Sequence, residues 1–174
     1  MGAFHDIVTI IKRAINPNFH YDTILDIPLN DLHDKGYTAI LMDVDNTILP
    51  RSQKEISLQM SNWVDLAKRI GYKVLFVSNN SSFRRINKVA KQVEVEGLHF
   101  ACKPLVYSTR DLLKRHNLNP KKCIYIGDQM LTDVLVGNWA GMTTVLVEPY
   151  DKRLSVIKAI QHEVEKKLLK WFKT

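Results

Sequence analysis

Cysteine is scarce in this chain of 174 residues: only Cys102 and Cys123 are present. Two thiols cannot build a disulfide framework, and they read as small buried groups in a reducing compartment. Glycine and proline are also few, at seven and six, which excludes collagen-like, linker-like and low-complexity architectures. No apolar run reaches the roughly 20 residues that a membrane-spanning helix needs. The opening stretch MGAFHDIVTIIKRAINP has Asp6 where a secretory leader carries positive charge, so no leader is expected. Asp6 in place of Ser or Thr also speaks against myristoylation of Gly2. Acidic residues are in the minority, 18 against 25 Lys and Arg, for a formal charge of +7. That balance favours an anionic partner, whether a phosphorylated metabolite, a nucleic acid or an acidic membrane surface. What is plentiful is apolar material, 45% of the chain, enough for the core of one domain spanning residues 1–174.

Hydrophobic patterning predicts alternating strands and helices. Residues 38–44 (TAILMDV) form an apolar run that stops at an acidic cluster, as a buried parallel strand would. Further strands are expected at 72–77 (YKVLFV), 98–101 (LHFA), 122–127 (KCIYIG) and 143–147 (TTVLV). Helical periodicity covers 54–70, about 83–92, a segment from Pro104 in its first turn to about His116, and about 132–141. Five strands interleaved with helices predict an α/β three-layer sandwich around a parallel sheet. Two amphipathic terminal segments, 4–15 and 153–172, flank it.

Open parallel sheets bind ligands beyond the carboxyl ends of their strands, and here four strand ends carry chemistry. The first ends in Asp43-Val44-Asp45-Asn46-Thr47, the second in Ser78-Asn79, the third precedes Lys103, and the fourth ends in Gly127-Asp128 with Asp133 beyond. The set suits metal-assisted phosphoryl transfer. Asp43 and Asp128 can give hard oxygen ligands to Mg²⁺, and a carboxylate at a strand lip can attack phosphorus. Asp45, two residues along, can protonate a leaving alkoxide and then activate water. Thr47 or Ser78 can donate to phosphoryl oxygens, while Lys103 supplies a fixed cation. Asn79 and Asn80 either orient the phosphate or cap the next helix, and Asp133 either supports a metal or is an ordinary first-turn acid. His99 lacks matched partners, Cys102 lacks an activating base, and Arg84, Arg85 and Lys88 either meet a diacidic head group or form a solvated helix face.

Asp43–Thr47 resembles the DxDxT signature of the haloacid-dehalogenase-like phosphatase superfamily, and Ser78, Lys103 and the GDQMLTD stretch 127–133 resemble its other motifs in order. The DNT, VSNN and GDQxxTD phrases are most similar to the phosphatidylglycerophosphate phosphatase family of bacteria and mitochondria, from about Asn16 through Glu148. The resemblance implies a Rossmann-like fold without a cap domain. It implies Asp43 as nucleophile and Asp45 as general acid/base that also lends a carbonyl to Mg²⁺. Thr47, Ser78 and Lys103 would hold the phosphoryl group, Asp128 would ligate the metal, and Asp133 would support its water shell.

Spacing adds that neither the Asp45–Ser78 nor the Ser78–Lys103 interval has room for an inserted cap. An uncovered site fits a substrate too large to enclose, such as a phospholipid head group at an anionic membrane surface, or a site roofed by a neighbour in a homo-oligomer. The terminal stripes, basic and ending in Trp171 and Phe172, fit either membrane contact or packing. The expectation is therefore a phosphatase of phosphatidylglycerophosphate, cytoplasmic and peripheral to the membrane, or on the matrix side in an organelle. The alternatives are a soluble sugar-phosphate phosphatase covered by a neighbour and a non-catalytic interaction module. No aromatic-interleaved basic groove supports a nucleic-acid partner.

Overall fold

The computed structural model describes residues 13–150. The terminal stripes, 153–172 entirely and 4–15 up to its last three residues, lie outside the described residues. Among the described residues the chain forms one six-stranded sheet with every pairing parallel. The strands are β1 (Phe19–Tyr21), β2 (Ala39–Met42), β3 (Lys73–Val77), β4 (Glu96–Leu98), β5 (Cys123–Gly127) and β6 (Thr143–Val147), in the spatial order β1-β6-β5-β2-β3-β4. The helices are α1 (Leu29–Asp34), α2 (Leu58–Ile70), α3 (Phe83–Gln92), α4 (Tyr107–Arg115) and α5 (Leu135–Ala140).

Alternation along the strands makes the layers. Ile40, Met42, Val74, Phe76, Ile124 and Ile126 face α1, α2 and α3, where Leu32, Trp63, Val64, Ile86 and Val89 complete one core. Ala39, Leu41, Leu75, Val77 and Tyr125 face the other way, onto Leu112 and Leu113 of α4 and Val136 of α5. Both faces of the sheet are covered, which is why β2 reads as an unbroken apolar run. The three-layer α/β sandwich expected from the sequence is present, with six strands instead of five. The extra strand, β1, is three residues long and joins the sheet edge beside β6, with Asn18 donating to and accepting from Thr144.

Several boundaries move for local reasons. The third strand lies at 96–98, not 98–101, because Phe100 and Cys102 take positive φ (50° and 56°) and turn the chain out of the extended region. Helix α2 starts at Leu58, where the Ser57 hydroxyl accepts from the Met60 amide. Pro104 is not in a helical first turn: its peptide bond with Lys103 is cis, and α4 begins at Tyr107. The segment expected as one helix over 132–141 is a π-type turn, Met130–Val134, running into α5. Cys123 is buried, which pushes its thiol up to about 11, whereas Cys102 is exposed and does not fit the buried-thiol reading.

The topology decides where a site can form. From β2 the chain winds outward through β3 to β4, then returns to the opposite side of β2 for β5 and β6. The direction reverses between β2 and β5, so connections diverge there and leave a crevice at the carboxyl edge. The Asp45–Ser78 interval is occupied by a loop, α2 and β3, and the Ser78–Lys103 interval by α3, β4 and short connections.

Candidate active site

Asp43 follows directly from β2, the strand at the reversal, and its amide donates to the Ile126 carbonyl of β5 at 2.9 Å. Asp128 follows β5 on one side and Ser78 follows β3 on the other. Parallel register therefore sets three strand ends side by side. Lys103 arrives from beyond β4 and projects inward. Its ammonium donates to Asp43 Oδ1 at 2.5 Å, Asp133 Oδ1 at 2.6 Å and the Val77 carbonyl at 3.0 Å. Its backbone is clamped by Asn79: the Lys103 amide donates to Asn79 Oδ1 at 2.6 Å, and Asn79 Nδ2 donates back to the Lys103 carbonyl at 2.9 Å. Asn79 was expected either to bind phosphate or to cap a helix. Its amide holds the Lys103 backbone, Asn79 also lines the cavity beside Asp43, and the α3 cap is Ser82.

Burial sets the electrostatics. Asp43, Lys103, Asp128 and Asp133 are all buried, so water solvates none of their charges well. Desolvation raises the Asp43 carboxyl from 3.8 to about 6, Lys103 pulls it down, and Asp133 pushes it up again. Asp133 is raised by the same desolvation, against the pull of Lys103. For Lys103 burial favours loss of the proton, but Asp133 and Asp43 outweigh it and hold the ammonium well above its usual value. Lys103 thus meets two of the three buried carboxyl groups, Asp43 and Asp133.

These three carboxyl groups bear on metal binding. Asp43, Asp128 and Asp133 each offer an oxygen, and these lie within 4.8 Å of one another. Three buried carboxylate oxygens gathered this closely are the hard donor set that a divalent cation of the Mg²⁺ class fits. Thr47 lies among them, its hydroxyl 3.0 Å from Asp128 Oδ1 and 3.3 Å from Asp43 Oδ2. Asp133 serves Lys103 with Oδ1 and accepts from the Gln129 amide with Oδ2. It belongs to the π-type turn, which packs against β5 so closely that a Cβ on Gly127 would lie 2.3 Å from the Asp133 Cβ.

Asp45 shares a cavity of about 440 Å³ with Asp43, Ser78 and Lys103, so the two carboxylates do open onto one space. Asp45 is held by Arg85, whose Nε and Nη2 both donate to Oδ1 at 3.0 and 2.7 Å, and by Asn80 Nδ2, which donates to Oδ2 at 2.8 Å. Arg85 also donates to the Pro50 and Gln53 carbonyls. Farther along α3, Lys88 pairs with Glu55 and Gln92 accepts from the Ile56 amide. Residues 85, 88 and 92 share one helix face, so α3 ties down the loop leaving the acidic motif. Sequence reasoning left Arg85 between a head-group contact and a solvated face and gave it no contact with Asp45. The i, i+3, i+7 spacing of its polar residues is the signal that was available.

Comparison with known proteins agrees with this geometry. A family model described as mitochondrial PGP phosphatase matches residues 3–150. The probable phosphatase YqeG of Bacillus subtilis is 29% identical over 160 residues, covering 92% of each chain. Phosphatidylglycerophosphatase GEP4 of Saccharomyces cerevisiae is 26% identical, over 72% of this chain and 73% of that one. Phosphatidylglycerophosphate phosphatase 1 of Arabidopsis thaliana is 22% identical over 87% of this chain, which spans 46% of the plant protein. Among solved structures, the cobalt-bound deoxy-D-mannose-octulosonate 8-phosphate phosphatase of Haemophilus influenzae superposes with a TM-score of 0.53 at 14% identity, over 65% of this chain and 69% of that one, and so shares the fold. A match over 3–150 takes in every residue of the site, and the chain belongs to the mitochondrial PGP phosphatase family of haloacid-dehalogenase-like phosphatases.

Proposed function

We propose that the enzyme is an Mg²⁺-dependent phosphomonoesterase that works through an aspartyl-phosphate on Asp43 and removes the terminal phosphate of phosphatidylglycerophosphate. The observation that carries the chemistry is the placement of Asp43 and Asp45 on one cavity with the Lys103 ammonium 2.5 Å from Asp43. The names of the plant and yeast relatives support the substrate. An interval plan without space for an inserted domain supports it too, because a head group anchored in a bilayer cannot be enclosed.

An Asp43 carboxylate oxygen attacks phosphorus, and the P–O bond to the glycerol oxygen breaks. Asp45 gives its proton to that leaving oxygen. Water then attacks the aspartyl-phosphate, passing a proton to Asp45. Inorganic phosphate departs and the Asp43 carboxylate is restored. Throughout, Lys103 stays between Asp43 and Asp133, so its charge faces the phosphoryl oxygens without reorganisation. Ser78, which lines the cavity, offers its hydroxyl to the same oxygens, and the Thr47 hydroxyl is directed at Asp128 and Asp43 beneath them. Arg85 and Asn80 fix both oxygens of Asp45 and so keep it aimed at the cavity. Asp43, Asp128 and the Asp45 carbonyl would hold Mg²⁺, with Asp133 behind them; the ion supplies positive charge that offsets repulsion between carboxylate and phosphate dianion.

The test is phosphate release from phosphatidylglycerophosphate in mixed micelles, with Mg²⁺ and with EDTA, beside a sugar phosphate. Strong Mg²⁺-dependent preference for the lipid and loss of turnover in Asp43→Asn are expected. Acid quenching of the wild type during turnover should leave phosphate covalently on Asp43. Preference for the sugar phosphate would overturn the substrate, and turnover by Asp43→Asn would overturn the covalent route.

A further inference from the structure

Ten large apolar side chains are exposed among the described residues, and they are not scattered. Leu66, midway along α2, and Trp139, near the end of α5, lie away from the carboxyl edge of the sheet. The other eight sit on loops or first helical turns at that edge. Leu25, Leu58 and Tyr150 flank it. Phe83, Phe100, Leu105, Tyr107 and Leu131 belong to the loops and helix starts that follow β3, β4 and β5, the same connections that deliver Ser78, Lys103 and Asp128.

These five residues lie on the same connections as the cavity residues Ser78 to Ser81, Lys103, Gln129 and Thr132. The Phe83 ring packs edge-on against His99 with centroids 5.2 Å apart, joining the β3 and β4 connections. The Phe100 amide donates to the carbonyl of Asn80, which lines the cavity. Leu131 lies between Gln129 and Thr132, two more cavity residues. Phe100 is 63% exposed and Tyr107 78%, levels that cost hydration free energy without any benefit to the core. Exposed apolar side chains gathered at one edge of a domain mark an interaction face.

The charge around this rim selects the partner. Segments 79–84, 99–110 and 129–132 contain no Asp or Glu, while Arg84 lies within the first of them. Across the mouth, the 46–57 loop adds Arg51 and Lys54, and its one carboxylate after the acidic motif, Glu55, is paired with Lys88. Aromatic and leucine side chains beside Arg51, Lys54 and Arg84, with the nearby Glu55 and Asp111 carboxylates paired to Lys88 and Arg115, complement an anionic bilayer surface, where rings settle at head-group depth and basic residues meet lipid phosphates.

We infer that the rim formed by the β3, β4 and β5 connections is the surface by which the enzyme docks on anionic lipid, with Phe83, Phe100, Leu105, Tyr107 and Leu131 as its apolar contacts. Docked in this way, the cavity faces the bilayer, and a phosphorylated head group reaches Asp43 while its acyl chains stay in the membrane. The inference rests on the phospholipid reading above for the class of partner, and it places docking on the catalytic face and not on the terminal stripes.

The experiment uses the full chain and the combined variant Phe100→Asn, Leu105→Ser, Tyr107→Ser, with Asn chosen because Phe100 has positive φ. A double variant at the two exposed residues off the rim, Leu66→Ser with Trp139→Ser, is the control. Sedimentation with phosphatidylglycerol–phosphatidylcholine vesicles measures docking, p-nitrophenyl phosphate turnover reports an intact site, and sedimentation velocity reports oligomeric state. The rim variant should bind vesicles about 30-fold more weakly and keep its soluble-ester turnover, whereas the control should bind as wild type. If the triple change prevents folding, Tyr107→Ser alone should weaken binding about fivefold. Unchanged vesicle binding in the rim variants, an equal loss in the control, no binding by the wild type, or dissociation of an oligomer without change in vesicle binding would each overturn the inference. Rim-dependent vesicle binding by an enzyme that ignores phosphatidylglycerophosphate would retain the docking face and remove only the proposed substrate.

Discussion

Replacing the proposed nucleophile should make the metal-free protein more stable, and Asp43→Asn is the perturbation that shows it. Burial raises the Asp43 carboxyl from 3.8 to about 6 in the folded chain, with Asp133 adding to the effect and Lys103 opposing it. A carboxyl raised on folding binds its proton more tightly in the native state. Its stabilising contribution is therefore present below its unfolded value and is lost as the pH rises through about 6. At about pH 7.5 the group is charged in both states, and holding that charge in the metal-free fold costs about 3 kcal/mol. An asparagine amide avoids this cost. Its oxygen can accept from Lys103, and its NH₂ can face the Thr47 hydroxyl, which already lies 3.0 Å from Asp128 as an alternative acceptor. In EDTA at about pH 7.5 the variant should exceed wild type by about 3 kcal/mol, a Tm rise of about 6–12 °C at this chain length. At about pH 5 the wild-type carboxyl is mostly protonated, and the gap should shrink to roughly half. Saturating Mg²⁺ should raise the wild-type Tm more than that of the variant, since the ion meets the Asp43 charge that burial leaves short of partners. Thermal denaturation at the two pH values, with and without Mg²⁺, is the assay. A variant no more stable than wild type in EDTA at the higher pH, or a gap that does not narrow at the lower, would refute the reasoning.

Lys103→Met should do the opposite, because it leaves Asp43 and Asp133 buried without their shared cation; a loss of about 3–5 kcal/mol by urea denaturation at neutral pH, smaller near pH 5 and smaller with Mg²⁺, is expected together with loss of turnover. Gly127→Ala places a methyl 2.3 Å from the Asp133 Cβ, and should cost at least about 3 kcal/mol and abolish phosphate release, measured by Tm and turnover. Arg85→Lys gives up the paired donation to Asp45 Oδ1. Its kcat should fall about 10–100-fold on an alkyl phosphate and less on p-nitrophenyl phosphate, whose leaving group needs no proton, with KM little changed.

The buried strands were legible because parallel strands covered on both faces spell out as continuous apolar runs, and β2, β3, β5 and β6 all lie within their expected segments. Strand β1 was not legible. Three residues, Phe-His-Tyr, give too short a pattern, and its place in the sheet depends on Asn18 reaching Thr144 across 126 positions of sequence. Local backbone conformations were missed in the same way. Nothing in HFACKP says that Phe100 and Cys102 take positive φ or that the bond to Pro104 is cis.

The site divides along a similar line. Residue types with few other uses at a strand end, namely Asp43, Asp45, Ser78, Lys103 and Asp128, announce themselves through chemistry. The groups that aim them do not, because a positioning residue is defined by its partner. That the Asn79 amide closes on the Lys103 backbone, and that the Arg85 guanidinium sits on Asp45, shows only in the folded chain. Both partnerships span the fold from one strand end to another, Asn79 to a residue 24 positions away and Arg85 to one 40 away. They exist only because β2, β3 and β4 pair in register. The reversal between β2 and β5 has the same status. It gathers Asp43, Asp128 and Asp133 within 4.8 Å of one another, at a cost in desolvation that the core offsets. A strand order placing β5 elsewhere would leave every motif intact in sequence and no site in space.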